Sequence, residues 1–236
     1  MRTLRAALGL AAAAIGCTGP PHPADATPAA STPGTVARYL ALGDSFTVGT
    51  GSGPDRAFPS RLVARCPSAV ELRNVAVNGY STQDILDREM PDVAPFAPTF
   101  VTLAAGANDI VRGASPGEYR ARIRTILSQL RSAGVARVVT LPQPDWSLSP
   151  AARGFGEPAA IHARIVEANA ILQAETIAAG GTYVDLFPLM EAQARAGMIA
   201  TDGLHPSATA HDAWAAELVS RDATPCSSRG SAPETP

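Results

Sequence analysis

Five short apolar runs, each separated from the next by a longer stretch with helical spacing, constrain this chain more than any other feature. The runs are Tyr39 to Leu42, Val70 to Val77, Phe100 to Ala105, Arg137 to Leu141 and Thr182 to Leu186. Each is a few residues long and closed by turn residues, which is how a strand buried on both faces reads. Helical spacing falls over Phe58–Arg65, Thr82–Glu89, Gly117–Ala133, Ala159–Ala179 and Ala208–Val219. In the third of these, Ile123, Ile126, Leu127 and Leu130 recur at three- and four-residue steps, one face of a helix laid on a sheet. Ile161, Ile165, Ala168, Ile171 and Leu172 repeat that pattern in the fourth. Strand and helix in alternation, joined by short links, give a mainly parallel sheet covered on both sides.

The sequence outside this alternation is of another kind. Arg2 and Arg5 precede an alanine-rich apolar run too short to cross a bilayer as a helix, so residues 1–17 read as an export signal peptide. The run ends in Ala14-Ile15-Gly16-Cys17, which is similar to a bacterial lipobox with alanine where leucine is usual. Two outcomes are open: lipidation of Cys17, giving membrane attachment, or ordinary secretion with cleavage further on, for example after Ala24-Asp25-Ala26. Residues 18–34 are rich in Pro, Ala and Thr without apolar periodicity and read as an extended tether, with His22 idle inside it. The folded domain is expected over residues 35–222 and a flexible tail over 223–236. With Cys17 lipidated, Cys66 and Cys226 are left to pair or to stay free; export favours the pair.

All 19 basic residues are arginine, a compositional bias, and the net charge is −2. With no arginine-rich run, nucleic acid is excluded as the main partner. Arg120, Arg122, Arg124 and Arg131 read as the solvated face of their helix. The glycine-rich Gly49-Thr50-Gly51-Ser52-Gly53 is no phosphate loop, since the chain has no lysine and Pro54 interrupts the start of a helix.

Chemistry gathers in four blocks: Gly43-Asp44-Ser45 after the first strand, Asn74 to Gly79 after the second, Gly106-Ala107-Asn108-Asp109 after the third, and Asp202-Gly203-Leu204-His205-Pro206 before the last helix. Residues just past the carboxyl ends of parallel strands collect along one sheet edge. Gly-Asp-Ser alone says little, because a serine or aspartate there also serves as a helix cap. A serine nucleophile needs a base, a group that orients the base, and donors for the oxyanion. His205 is the one histidine in a turn-flanked loop with an acid three residues upstream. His162 and His211 lie in helical stretches, where surface or half-buried structural roles are expected. Asp44 and Asp109 are expected to hold their loops by bonds to backbone N–H groups.

The four blocks, in this order, resemble the SGNH hydrolases, the GDSL-type esterase and lipase family. The matching residues are Ser45 in Gly-Asp-Ser, Gly79, Asn108 in Gly-x-Asn-Asp, and His205 in Asp-x-x-His-Pro; Phe46 stands where the family's eponymous motif has leucine. The similarity runs from Tyr39 to Leu218. It implies a three-layer α/β/α sandwich around a flavodoxin-like five-stranded parallel sheet of order 2-1-3-4-5. It also implies ester hydrolysis through an acyl-enzyme, with no metal or cofactor and a small-molecule ester as partner. On that reading Ser45 is the nucleophile, His205 the base, Asp202 its orienting acid, and Ser45, Gly79 and Asn108 the oxyanion donors. Phe46, Tyr80, Trp146, Phe155 and Leu204 are expected to line a modest apolar pocket for a short- or medium-chain acyl group. The long Pro- and Gly-rich connection over residues 142–158, with two exposed aromatics in Trp146 and Phe155, either roofs that pocket or is a rigid surface excursion. The alternatives are a carbohydrate deacetylase or lysophospholipase of the cell envelope, or a binding lipoprotein of the same fold without turnover.

Overall fold

The computed structural model describes residues 36–227. The residues expected to form an export signal and a tether, with Cys17 and His22 among them, and the last nine residues lie outside the described residues. Five strands, β1 (Ala37–Gly43), β2 (Val70–Asn74), β3 (Phe100–Ala104), β4 (Arg137–Thr140) and β5 (Thr182–Tyr183), form one sheet in the order β2-β1-β3-β4-β5. All four pairings are parallel. The helices in chain order are α1 (Ser45–Val48), α2 (Phe58–Val63), α3 (Thr82–Asp84), α4 (Val93–Phe96), α5 (Ala107–Val111), α6 (Pro116–Ser132), α7 (Pro158–Ala178), α8 (Phe187–Arg195) and α9 (Ala208–Ser220).

Alternate residues of the central strands feed two cores. Leu40, Leu42, Val101 and Leu103 pack with Ile123 and Ile126 of α6 and Ile161 and Ile165 of α7. Tyr39, Ala41, Phe100 and Val139 pack with Phe58 and Leu62 of α2 and Trp214 and Leu218 of α9. Because side chains alternate along a strand, each face of the sheet receives its own helix pair, giving three layers. Fully burying each of the larger apolar side chains contributes ~1.5–3 kcal/mol, so both layers hold the sheet. Ser115 opens α6 with a reciprocal capping box to Glu118, which stabilises the helix start by ~1 kcal/mol.

Several details differ from the sequence expectations. Arg120 and Arg124 bond to Glu175 of α7 at 2.8 and 2.9 Å, and Arg122 reaches Asp109 at 3.3 Å. These arginines staple α6 to its neighbours instead of only facing solvent. The helix expected over Thr82–Glu89 is one α-turn followed by a π-turn over Ile85–Glu89, in which the Met90 N–H reaches Ile85 O. Pro91 follows directly and lacks an N–H to continue the ordinary ladder. The tail boundary moves outward: Ala223 and Thr224 are buried, and Arg137 donates to Thr224 O at 2.8 Å and to Asp222 O at 2.6 Å. Cys66, just past α2, is bonded to Cys226, with Cα atoms 5.6 Å apart and a sequence separation of 160. In the chain-entropy model, closing so long a loop contributes about 5 kcal/mol.

Candidate active site

The first turn after β1 is built to present Ser45. A Cβ on Gly43 would lie 2.5 Å from Ala104 O, so only glycine lets the chain pass β3 here. Asp44 is the N-cap of α1, its Oδ1 accepting from Phe46 N at 3.0 Å. Ser45 is therefore the first residue of a helix, where the backbone N–H has no intrahelical acceptor. The capping role falls to Asp44, which leaves the side chain of the largely buried Ser45, 6% exposed, free of that role.

Beneath this turn lies a buried acid that the sequence reading missed. Glu89, 1% exposed, accepts from Gly43 N through Oε2 at 2.9 Å, while its Oε1 meets no hydrogen-bond partner among the described residues. Burial pushes its carboxyl up to about 9, with the Gly43 bond opposing and Asp44 adding to the rise. Burial likewise raises Asp44 to about 7, against the Phe46 N–H bond that lowers it.

The second and third blocks meet at the same edge. Asn108, near the start of α5, donates from Nδ2 to Tyr80 O at 3.0 Å, which commits one of the two amide hydrogens and fixes the direction of the other. Gly79 has φ of +85°, a left-handed conformation that favours glycine, and a Cβ there would meet nothing within 4 Å. Its carbonyl accepts from Arg112 Nη2 at 2.7 Å, which holds the peptide from behind. Asp109 is a loop holder, accepting from Thr82 N at 2.8 Å.

In the fourth block Asp202 binds its own loop with both oxygens. Oδ1 accepts from Leu204 N at 2.9 Å and His205 N at 3.0 Å, and Oδ2 lies 2.7 Å from His205 Nδ1. Burial works to raise this carboxyl, but the His205 and Leu204 bonds hold it below the usual aspartate value. His205 is 7% exposed, with its ring 5.3 Å from that of Phe46. With Nδ1–H donated to a carboxylate, Nε2 is left as an acceptor. His211, by contrast, is fully buried, where the sequence suggested at most half-burial. Neither of its ring nitrogens has a partner among the described residues, and burial lowers it to about 4.

Ser45, Asn78, Asn108 and His205 share one cavity of about 200 Å³, with Phe46, Ala107, Val111, Trp146, Phe155 and Leu204 as its apolar walls. Four of the five expected pocket residues are thus present. Tyr80 is not: it contributes its carbonyl to Asn108, and its ring lies 5.8 Å from the Arg88 guanidinium. The connection over residues 142–158 supplies Trp146 and Phe155, stacked edge to face at 5.8 Å. Trp146 is only 4% exposed, contrary to expectation, and Phe155 is 48% exposed. The connection therefore walls the cavity with one buried and one half-open aromatic.

Among the described residues, Asp145, His162 and Glu191 place one donor atom each within 4.8 Å of one another. Protein partners already take up these donors: His162 Nδ1 lies 2.7 Å from Asp145 Oδ2, Ser147 donates to Asp145 Oδ1, and Glu191 pairs with Arg195 at 2.9 Å. His162 and Ser147 thus hold Asp145, the residue preceding Trp146.

Comparison with known proteins gives the family and the fold. Residues 41–213 match the model of the GDSL-like Lipase/Acylhydrolase family. Thioesterase 1/protease 1/lysophospholipase L1 of Escherichia coli strain K12 is 29% identical over 94 residues, 40% of this chain. That match spans 45% of the length of the curated relative. The lipase/acylhydrolase from Enterococcus faecalis superposes with a TM-score of 0.64 at 22% identity, covering 79% of this chain and 95% of that one. Axe2, an acetylxylan esterase from Geobacillus stearothermophilus, gives 0.63 at 18% identity, covering 79% and 94%. The two structures share the fold.

Proposed function

Given that the chain belongs to the GDSL-like lipase/acylhydrolase family, we propose that it is a serine hydrolase that cleaves carboxylic esters through an acyl-enzyme. The observation that carries this reading is that His205, held 2.7 Å from the Asp202 carboxylate, lines one cavity with Ser45 and Asn108. Ser45 Oγ attacks the acyl carbonyl and passes its proton to His205 Nε2. The carbonyl oxygen takes the electron pair and is met by the N–H groups of Ser45 and Gly79 and by the Asn108 amide. Collapse of this intermediate expels the alkoxide, which leaves with the proton from His205. Water then repeats the attack, His205 again acting as base, and frees the acid. Asp202 stays ionised throughout, orients the ring and stabilises the imidazolium.

The cavity of about 200 Å³ is smaller than the ~300–1,000 Å³ typical of drug-sized ligands. Its apolar walls accept a short or medium neutral acyl chain, and its half-open Phe155 side leaves the alcohol in solvent. The E. coli relative is named for thioester and lysophospholipid cleavage, and the same machinery would act on either leaving group if the acyl chain were short.

A fluorophosphonate probe tests the nucleophile and a p-nitrophenyl ester series tests the pocket. We expect labelling of the intact chain that is lost in Ser45→Ala together with turnover, and faster cleavage of acetate to octanoate than of palmitate. A folded Ser45→Ala variant with full esterase activity would refute the assignment, and a preference for palmitate would refute the acyl pocket. Acetylated xylan and a short acyl thioester, run alongside, separate the leaving groups.

A further inference from the structure

The glycine-rich stretch that follows α1 binds no phosphate by its sequence, yet its three odd glycines share an unusual backbone: Gly49, Gly51 and Gly53 have φ of +85°, +82° and +90°. Gly49 ends α1, and its carbonyl accepts from Ser52 N at 3.0 Å and Gly53 N at 2.8 Å, which closes the segment into a compact loop. That loop lies against the Asp202–His205 segment. An atom placed as Cβ on Gly51 would be 2.7 Å from Asp202 Oδ2 and 2.7 Å from Ala200 Cβ. The next residue, Ser52, donates from Oγ to Pro206 O at 2.7 Å, a bond spanning 154 residues of sequence.

We propose that Gly51 and Ser52 are positioning residues that brace the Asp202 carboxylate and the His205 loop against the helix carrying Ser45. The proposal rests on the triad reading above. Oδ2, the oxygen on which Gly51 closes, is the one that holds His205 Nδ1. From within, the His205 loop is tied by Ala200 N to His205 O at 2.7 Å and by Ser207 N to Met198 O at 2.9 Å. Those bonds set its shape and leave its distance from α1 to other contacts. Gly51 sets that distance by admitting the carboxylate to the backbone itself, and Ser52 ties the far side of the loop at Pro206. Only five residues separate Ser45 from Gly51, so the nucleophile and the orienting acid are referenced to the same short segment. Glycine is required at 51 twice over, by the left-handed φ and by the space.

The test compares Gly51→Ala, Ser52→Ala and Ser52→Thr with Gly53→Ala in the whole chain. Gly53 has the same sign of φ, but a Cβ there meets nothing within 4 Å, so that variant carries the backbone strain without the contact. A displacement of the order of 1 Å at a triad member costs about a hundredfold, so we expect Gly51→Ala to lower kcat about that much with KM within about twofold. Moving the carboxylate away weakens its hold on the imidazolium, so the acid limb of kcat/KM should shift to lower pH. Ser52→Ala removes one hydrogen bond and should lower kcat about fivefold, and Ser52→Thr should restore it. Gly53→Ala should lose stability while keeping the wild-type kcat and pH profile.

A folded Gly51→Ala enzyme with wild-type kcat and an unmoved acid limb overturns the brace, as does a Gly53→Ala enzyme that loses kcat equally. If Gly51→Ala does not fold, the serine pair decides: an unchanged Ser52→Ala, or a Ser52→Thr that fails to restore, overturns it. Fluorophosphonate labelling of the wild type separates the two levels. If Ser45 is not the labelled residue, the triad reading falls and the brace falls with it; if Ser45 is labelled, the variants judge the brace alone.

Discussion

Glu89 beneath the nucleophile turn allows a sharp test. Its carboxyl is raised from 4.5 to about 9, chiefly by burial. Between those values the unfolded chain has released a proton that the folded chain still holds. The folded state therefore binds more protons, and stability falls as pH rises through that window. With ~1.4 kcal/mol per pH unit, the loss through this group between pH 5 and pH 8 is about 4 kcal/mol. That is a large share of the ~5–15 kcal/mol that holds a domain together. Glu89→Gln removes the titration and keeps an oxygen for the Gly43 N–H. Urea unfolding followed at pH 5 and pH 8 should show the variant gaining about 4 kcal/mol on the wild type across that interval. Glu89→Ala, which leaves the Gly43 N–H unpaired, should instead be destabilised at both values. A difference between Glu89→Gln and wild type that is the same at pH 5 and pH 8 would show that the carboxyl is ionised in the folded protein and that the reasoning fails.

Two further perturbations separate stability from catalysis. His211 takes its proton at about 4 when folded, below the ordinary histidine value of 6.5, so the unfolded chain binds more protons between those values. Stability thus drops as pH falls through them, by about 3 kcal/mol from pH 7 to pH 4. His211→Leu should remove that component, and a wild-type acid unfolding profile that the substitution leaves parallel would contradict it. Asn108→Ala should lower kcat by ~10²–10³ with little change in KM, read from steady-state rates on a short-chain ester; a rise in KM at constant kcat would place the amide in ground-state binding instead.

The central architecture was legible because buried parallel strands cannot hide. Leu40 to Leu42 and Val101 to Leu103 have no solvent face, so they appear as unbroken apolar runs, and the strand order came from resemblance. The edges were less legible. β5 was expected to reach Leu186 but pairs with β4 only over Thr182 and Tyr183, because Val184 and Leu186 continue as buried chain that sends one further bond, Val184 N to Thr140 O. The helix Phe187–Arg195 went unread, although Asp185 accepts from Phe187 N and Pro188 stands in its first turn. Its buried residues, Met190 and Gln193, are too few to raise a periodic signal. At the site, the short-range relation of Asp202 to His205 could be read from spacing. The contacts that support it could not, since Gly43 to Glu89 and Ser52 to Pro206 join segments far apart in sequence through backbone atoms that every residue possesses.

The Cys66–Cys226 bond has a topological consequence for the site. Gly79, Asn108, Asp202 and His205 all lie inside the covalent ring that it closes, and Ser45 lies on the arm that enters it. A single cut in the peptide chain anywhere between the two cysteines opens the ring without freeing a fragment. The arm bearing Ser45 and the piece bearing His205 stay one molecule, separable only when the sulfur bridge is reduced. The nicked protein would therefore keep Ser45, Asn108, Asp202 and His205 at intramolecular concentration.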